Sequence, residues 1–258
     1  MTFGMSRPSS FHAHLVDRLG RMIVAGEIGR GGTLPREDEL AQRFELSRTV
    51  IREATKTLQA LGLIVTGPRV GSRIQPLSSW RLLDPQVMEW LSDADMASGF
   101  ERDLLELRSM IEPAACAFAA ERGSSEQVAS IMAALAGMVG APDRAMHEAA
   151  DFRFHDAVLR ASDNILLVQL SPILHAMLKA SFRLSMHDPV RIQASITLHR
   201  DVANAIAGRE PDQARAAMVV LLKSAQADIE QGRRRSKAAA ARPTTRNPPR
   251  NLKRSAQC

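Results

Sequence analysis

The sequence predicts a mostly α-helical protein, with a three-helix N-terminal unit that ends in a β-hairpin and a C-terminal all-α bundle of six or seven helices. Three observations support this fold class. Apolar residues recur at helical spacing from Leu15 to Leu61. Two short runs that contain β-branched residues follow, with glycines between them. From residue 101 to about residue 230 the apolar pattern has only helical periodicity, and Gly, Pro and Asn residues interrupt it.

The N-terminal unit is predicted to contain helices at about residues 10–25, 36–44 and 48–61. Ser47 suits the N-cap of the third helix, because its hydroxyl can accept a hydrogen bond from an otherwise unpaired N–H of the first turn. Gly62 is expected to close the same helix.

The first turn of this third helix carries Arg48 and Thr49, and Arg52 follows one turn later. In the major groove of DNA, arginine reads guanine, while threonine contacts thymine methyl groups or phosphates. A short helix followed by a turn and a helix with this leading surface is typical of a helix-turn-helix. The alternative is an ordinary helical hairpin with a solvated basic face.

A β-hairpin is predicted next, with strands at residues 63–66 and 72–75. Arg69 lies at its tip, where it can reach the minor groove or a phosphate, and Gly71 allows a close backbone approach. The alternative for Arg69 is a solvated loop arginine. The hairpin therefore completes a winged helix-turn-helix.

This region resembles the winged helix-turn-helix of the GntR family of bacterial transcription regulators. The matching residues are Leu34, Pro35, Glu37, residues 39–41, residues 47–54, Leu58 and residues 61–64. The resemblance implies a homodimer that binds an inverted repeat in double-stranded operator DNA. The predicted DNA contacts are Arg36, Ser47, Arg48, Thr49, Arg52, Arg69 and Gly71.

The domain organisation follows from these elements and from shifts in composition. We predict disorder at residues 1–9, the winged unit at 10–76, a linker with one helix at 77–100, the bundle at 101–232 and a basic disordered tail at 233–258. Both tryptophans, Trp80 and Trp90, lie in the linker. Large aromatic side chains there are expected to pack the linker against one or both domains.

Charge is distributed unevenly along the chain. Residues 1–76 carry 11 basic and 7 acidic side chains, residues 77–232 carry 14 and 21, and residues 233–258 carry 9 and none. The acidic bundle is therefore expected to stay off nucleic acid. The basic tail can add sequence-independent DNA affinity that depends strongly on salt.

Composition also excludes several classes of protein. No run of apolar residues is long enough to span a membrane, and the N-terminus lacks the apolar core of a signal peptide. We therefore expect a cytoplasmic protein without a membrane partner. Cys116 and Cys258 are too few and too far apart for a disulfide framework or a cysteine metal site.

Asp151 and His155 are the first candidates for chemistry in the bundle. They are four residues apart on a predicted helix, so their side chains point the same way and can share one metal ion. The alternative is an exposed Asp–His pair. His199 lies among apolar residues of a later helix, where a lone histidine is more often a satisfied core residue.

A second resemblance favours the metal site over these alternatives. Residues 107–114, 119–122, 151–155 and 198–200 resemble the C-terminal effector domain of the FadR-type branch of the same family, which is often called FCD. The resemblance implies a divalent metal on Asp151, His155 and His199. Nitrogen and oxygen ligands suit Zn²⁺, Ni²⁺ or Mn²⁺. Leu221 stands where some members have a further histidine, so either three protein ligands suffice or metal affinity is reduced.

The same resemblance implies a small carboxylate effector, such as a sugar acid. Arg108 is the best candidate to grip its carboxylate, because the guanidinium fork matches two oxygens. A salt bridge to Glu112 is the alternative for this side chain. Asn164 is a further candidate for the effector pocket.

We therefore predict a metabolite-responsive transcription regulator, a repressor that a small carboxylate releases from its operator. Two rival functions remain open from the sequence. One is a constitutive DNA-binding protein with a structural metal. The other is a metal-dependent enzyme acting on a sugar acid, although no nucleophile motif or positioned general base accompanies the ligands.

Overall fold

The computed structural model describes residues 11–29, 32–67, 71–94, 98–185 and 189–240. It confirms the mostly α fold, in which a hairpin separates the N-terminal helices from the bundle. In chain order the elements are α1 (Phe11–Val24), α2 (Glu37–Phe44), α3 (Arg48–Ala60), β1 (Ile64–Gly67), β2 (Gly71–Ile74), a 3₁₀ turn (Leu77–Ser79), α4 (Pro85–Asp93), α5 (Ser98–Arg122), α6 (Ser125–Val139), α7 (Arg144–Ala161), α8 (Ile165–Val168), α9 (Ser171–Ser185), α10 (Pro189–Ala207) and α11 (Pro211–Ala240).

The N-terminal unit is built on the packing of α1 and α2 against α3. Leu19 of α1, Leu40 of α2, and Ile51 and Leu58 of α3 are buried in its core. Ser47 caps α3 as predicted, with its hydroxyl accepting a hydrogen bond from the N–H of the third helical residue at 3.4 Å. The helical spacing of the apolar residues therefore places one face of α3 inward and leaves the other in solvent.

The hairpin pairs β1 and β2 antiparallel, with Ile64 opposite Ile74 and Gly67 opposite Gly71. Each strand lies one residue from its predicted bounds, because a two-residue period fixes the faces of a strand better than its ends. The predicted tip residue Arg69 lies outside the described residues.

Gly62 joins α3 to β1 in a left-handed conformation that favours glycine. Its φ is +81°, and the N–H of Leu63 bonds to the carbonyl of Leu58 at 3.0 Å, which closes the helix in a Schellman motif. A Cβ on Gly62 would lie 2.2 Å from the carbonyl oxygen of Ser79. Glycine is therefore favoured here for two reasons, the left-handed backbone and the close approach of the linker backbone at Ser79.

Replacing Gly62 by alanine should consequently be more damaging than its backbone angle alone predicts. Gly26 is the matched control, because it has a φ of +67° and no atom lies within 4 Å of where its Cβ would be. We expect Gly26→Ala to lower the free energy of unfolding by about 1–2 kcal/mol and Gly62→Ala by more than about 3 kcal/mol. Urea unfolding measures both, and equal losses would contradict a role for the contact with Ser79.

The bundle places α5, α7, α10 and α11 around its centre, with α6 against α7 and α9 against α7 and α11. Two boundaries differ from prediction. The sequence pattern predicts one helix over 164–186, but the structure has two, α8 and α9, because Pro172 lacks an N–H and fits only the first turn of a new helix. In addition, α11 continues to Ala240, into the segment predicted to be disordered, since its Arg, Lys and Ala residues favour helix.

The linker helix α4 lies between the two domains and packs against both α1 and α9. Trp90 is fully buried, donates a hydrogen bond from Nε1 to Asp17 Oδ1 at 2.8 Å, and lies against Gly20, where a Cβ would meet the indole ring at 2.5 Å. Asp93, at the end of α4, forms ion pairs with Arg21 of α1 and with Lys179 of α9. The expectation that a linker tryptophan packs against the domains is confirmed.

Among the described residues, no helix combines the length and the apolar character that crossing a bilayer requires.

Candidate functional site

The outer face of α3 carries the predicted DNA-reading side chains. Ser47, Arg48, Thr49 and Arg52 are all exposed, whereas the inward face of the same helix is buried. This division follows from helical spacing, because residues of the apolar stripe cannot share a face with residues one or two positions away. The structure therefore presents two arginines and two hydroxyls together at the start of one helix.

The exposed basic residues are available to a polyanion. Arg48 pairs with Asp38 at 3.2 Å, but both side chains are mostly exposed, and such surface pairs contribute little energy. Arg36 is exposed at the N-terminal end of α2. Gly71, at the loop end of the hairpin, is exposed with a φ of +72°, and no atom lies within 4 Å of where a Cβ would be. Its backbone is therefore accessible.

The second candidate site is a buried cluster formed by α7 and α10. Asp151 and His155 of α7 and His199 of α10 are each at most 3% exposed. Asp151 Oδ1 lies 3.1 Å from His199 Nε2, and the two histidine Nε2 atoms are 3.4 Å apart. Asp151 Oδ2 lies 3.9 Å from His155 Nε2. The three predicted ligands therefore converge on one point.

The contacts of the Nδ1 atoms of His155 and His199 define the orientation of the two imidazole rings. His199 Nδ1 lies 2.8 Å from the backbone carbonyl of Ser195, an acceptor, so Nδ1 carries the proton. His155 Nδ1 lies 2.6 Å from Glu112 Oε2 of α5, a short contact between a ring nitrogen and a carboxylate oxygen. Acceptors beside both Nδ1 atoms leave both Nε2 atoms facing each other and Asp151, where they can hold a proton or a cation.

The two buried carboxylates both have lowered pKa values. Burial raises the pKa of Glu112, but the charges of Arg108 and His155 outweigh this effect and lower the pKa to about 2. Burial also raises the pKa of Asp151, but the hydrogen bond and charge of His199 outweigh this effect and lower the pKa to about 2. Both groups are therefore ionised at neutral pH and supply negative charge to the cluster.

These residues fit a divalent cation. Asp151 Oδ2 is buried and has no hydrogen-bond partner within the part of the chain that the structure describes. The three candidate ligand atoms lie within 4.8 Å of one another. Two imidazole lone pairs facing a carboxylate repel one another unless a cation or a proton lies between them. The donor set, two nitrogens and a carboxylate oxygen, suits Zn²⁺, Ni²⁺ or Mn²⁺.

Glu112 is the residue of the cluster that sequence reasoning did not assign to it. Its pairing with Arg108 one turn away was an alternative for that arginine, and the structure confirms it, with Arg108 Nε 2.5 Å from Glu112 Oε1. The contact with His155 joins α5 to α7, and no spacing along one helix could reveal it. The position of Leu221 offers no metal ligand, and its side chain is buried in α11.

Two other histidines and Asn164 lie elsewhere. The sequence predicts that His147 is a surface residue of its helix. This prediction is wrong, because His147 is 3% exposed and its Nδ1 lies 3.3 Å from the carbonyl of Met138. His175 is exposed on α9, with its ring stacked near Phe152. Asn164 caps α8, and its side-chain oxygen accepts from two backbone N–H groups at 3.0 and 3.4 Å. That role accounts for Asn164 without an effector.

Comparisons with known families match both parts of the chain. The gntR family of bacterial regulatory proteins matches residues 11–74, and the FCD domain matches residues 103–224. The galactonate operon transcriptional repressor of Escherichia coli K12 is 34% identical over 212 residues, which cover 81% of this chain and 93% of that protein. The uncharacterized regulator YieP of the same organism is 32% identical, with 81% and 91% covered.

Solved structures show the same fold at lower identity. Lar, which controls expression of the Listeria monocytogenes agr system, has a TM-score of 0.60 at 17% identity, with 88% of this chain and 99% of that chain covered. McbR/YncC of E. coli has a TM-score of 0.51 at 14% identity, with 86% and 98% covered.

Proposed function

Because the chain belongs to the GntR family of bacterial transcription regulators and carries an FCD domain, we propose that it represses an operon until a small carboxylate of the sugar-acid class releases it from DNA. The observation that carries this proposal is the pairing of two separate sites, an exposed basic helix face and a buried metal-type cluster. DNA cannot reach the buried cluster, so the cluster must serve a different ligand from the exposed face of α3.

For the DNA site, two protomers would place their α3 helices in successive major grooves of an inverted repeat in the operator. Arg48 and Arg52 would contact base edges or phosphates, and Arg36, Thr49 and Ser47 would support them. The exposed backbone at Gly71 would let the hairpin approach the minor groove. The protein would act on chromosomal DNA in the cytoplasm.

For the second site, Asp151, His155 and His199 would hold a divalent metal inside the bundle. When bound, the ion supplies positive charge that neutralises the ionised carboxylates and provides Lewis acidity toward oxygen ligands. The two histidine Nε2 atoms, which lie 3.4 Å apart, and the Asp151 carboxylate would supply the ligand atoms.

The effector class comes from the name of one relative and from a buried cation in the bundle. One relative is named for the galactonate operon, and galactonate is a six-carbon hydroxy acid. Arg108 offers a buried cation to a carboxylate, apart from its pairing with Glu112. A ligand can release the protein from DNA only by binding one arrangement of the dimer more tightly than the other.

Operator release against a panel of aldonates, uronates, lactate and dicarboxylates tests this function directly. We expect a sugar acid to dissociate the purified dimer from its operator. A gel shift that no acid changes would favour a constitutive DNA-binding protein with a structural metal. Conversion of any acid into product would favour an enzyme.

Glu112→Gln tests whether the second carboxylate supports the metal through His155. An outer carboxylate that orients a histidine ligand contributes about 10- to 100-fold to metal affinity, so we expect a loss in that range. Glu106→Gln on the same helix is the control, since Glu106 is 67% exposed and should leave metal affinity unchanged. Competition with a chromogenic chelator measures both, and equal affinities in the two variants would contradict this role.

A further inference from the structure

The winged unit is held on the bundle chiefly through the linker helix α4. This helix packs against α1 on one side and against α9 on the other. Trp90 of α4 lies against Gly20 of α1, and its indole N–H donates a hydrogen bond to Asp17 at 2.8 Å. An apolar contact of this kind excludes water but has no preferred direction, so it allows rotation about the ring. A second contact, away from Trp90, is therefore needed to fix the angle between α1 and α4.

Asp93, three residues after Trp90 on α4, supplies the second contact. Its Oδ2 accepts a hydrogen bond from Arg21 of α1, and its Oδ1 lies 2.6 Å from Lys179 Nζ of α9. One carboxylate therefore gives one oxygen to the winged unit and the other oxygen to the bundle. The three side chains Arg21, Asp93 and Lys179 form what we call the interdomain bridge.

The interdomain bridge is charged and directional. Burial raises the pKa of Asp93, but the hydrogen bonds to Lys179 and Arg21 outweigh this effect and lower the pKa below its ordinary value. Arg21 also donates hydrogen bonds to Asp17 at 3.0 Å and to Glu89 at 2.8 Å. Charge-assisted hydrogen bonds to three carboxylates fix the direction of its guanidinium. Rotation of α1 about Trp90 would break several of these contacts at once.

We propose that the interdomain bridge determines which separation of operator half-sites the dimer accepts. The bridge fixes the angle of each winged unit on its own bundle, and the two angles together set the distance between the two α3 helices. The inference rests on the proposed binding of a dimer to an inverted repeat. It gives a role in operator selection to residues that lie outside the reading face of α3.

Helix α1 carries a rotation at the bridge to the reading helix. His12 Nε2, nine residues before Arg21 on α1, lies 3.1 Å from Thr57 Oγ1 of α3. Nine helical residues span about 14 Å, and a rotation of about 15° moves a point at that distance by roughly 3.5 Å. This displacement is close to the axial rise of one base pair, about 3.4 Å. A small change of angle at the bridge is therefore large enough to shift the preferred spacing by about one base pair.

Fluorescence anisotropy with three duplexes tests the proposal. One duplex carries the operator that the native protein selects from a random library, and the other two have one base pair added or removed between the half-sites. We expect the native protein to bind the altered duplexes at least about tenfold more weakly, because one half-site is then displaced by about 3.4 Å and rotated by roughly 35°. Lys179→Met keeps the aliphatic stem and removes the charge, so we expect this ratio to fall below about threefold.

Two further variants serve as controls. Lys179→Arg should restore the native ratio, because a guanidinium keeps a cation within reach of Asp93. Lys223→Met removes an exposed lysine from α11, away from the linker, and should also keep the native ratio. A duplex with a single half-site should bind all of these proteins equally, since the reading face of α3 is unchanged.

The outcomes separate the bridge from the proposed function. A native ratio in Lys179→Met would overturn the role of the bridge and leave the proposed regulator intact. Weaker binding of Lys179→Met to the single half-site would also overturn it, because the substitution would then act on DNA contacts. A native protein that binds all three duplexes equally would overturn both the bridge and the inverted-repeat dimer. Asp93→Asn should reproduce Lys179→Met, and a native ratio in that variant would contradict the role of Asp93.

Discussion

Arg52→Ala is expected to abolish specific operator binding while leaving metal and effector binding intact. Arg52 is exposed on the reading face of α3, on a helix whose other face is buried. A bidentate contact of arginine with a base contributes about 1–3 kcal/mol. A dimer loses that contact in both half-sites, so the loss is about 2–6 kcal/mol, or roughly 30-fold to 10⁴-fold in affinity. Fluorescence anisotropy with an operator duplex measures it.

Arg215→Ala is the control for this substitution. It removes an exposed arginine from the bundle, and we expect operator affinity to stay within twofold of the native protein. Binding to an unrelated duplex should weaken much less in Arg52→Ala than binding to the operator, because phosphate contacts remain. Equal loss of operator and effector binding would contradict the separation of the two sites.

His155→Ala is expected to lower metal affinity by more than about 100-fold and to weaken the effector response, while operator binding survives. The substitution removes one of three candidate ligands and the partner of Glu112, which is a larger change than the loss of an outer carboxylate. Metal content of the dialysed protein and the effector concentration that releases half of the operator are the two measurements.

His175→Ala provides the comparison for a histidine outside the cluster. His175 is exposed on α9 and contacts Phe152, so its removal should leave metal content unchanged. Operator affinity serves as the check of folding for both variants. A full complement of metal in His155→Ala would remove His155 from the ligand set.

The reading helix could be predicted from the sequence because its determinants are local. The N-cap Ser47, the apolar stripe of α3 and the glycine after it all lie within about four helical turns, and each has one structural meaning. The hairpin was placed for the same reason, to within one residue at each strand. Propensity and packing agree here, so local reasoning suffices.

The buried cluster was predicted only in part. Asp151 and His155 share one helix face and could be paired by spacing, whereas His199 joined them through a family resemblance. Glu112 could not be assigned, because its contact with His155 depends on how α5 packs against α7. The burial of His147 was missed for the same reason, since its surroundings come from α6 and α9.

The packing of α4 between α1 and α9 constrains how domains can be exchanged between regulators of this family. The indole of Trp90 occupies the space beside Gly20, and Asp93 joins Arg21 to Lys179. Consider a chimera that joins the first 76 residues of a donor to the rest of this chain. Trp90 would then face the donor residue that replaces Gly20, and any larger side chain there would clash with the indole ring. A transplanted recognition module must bring residues 77–94 with it, and the host bundle must then supply a compatible partner on α9.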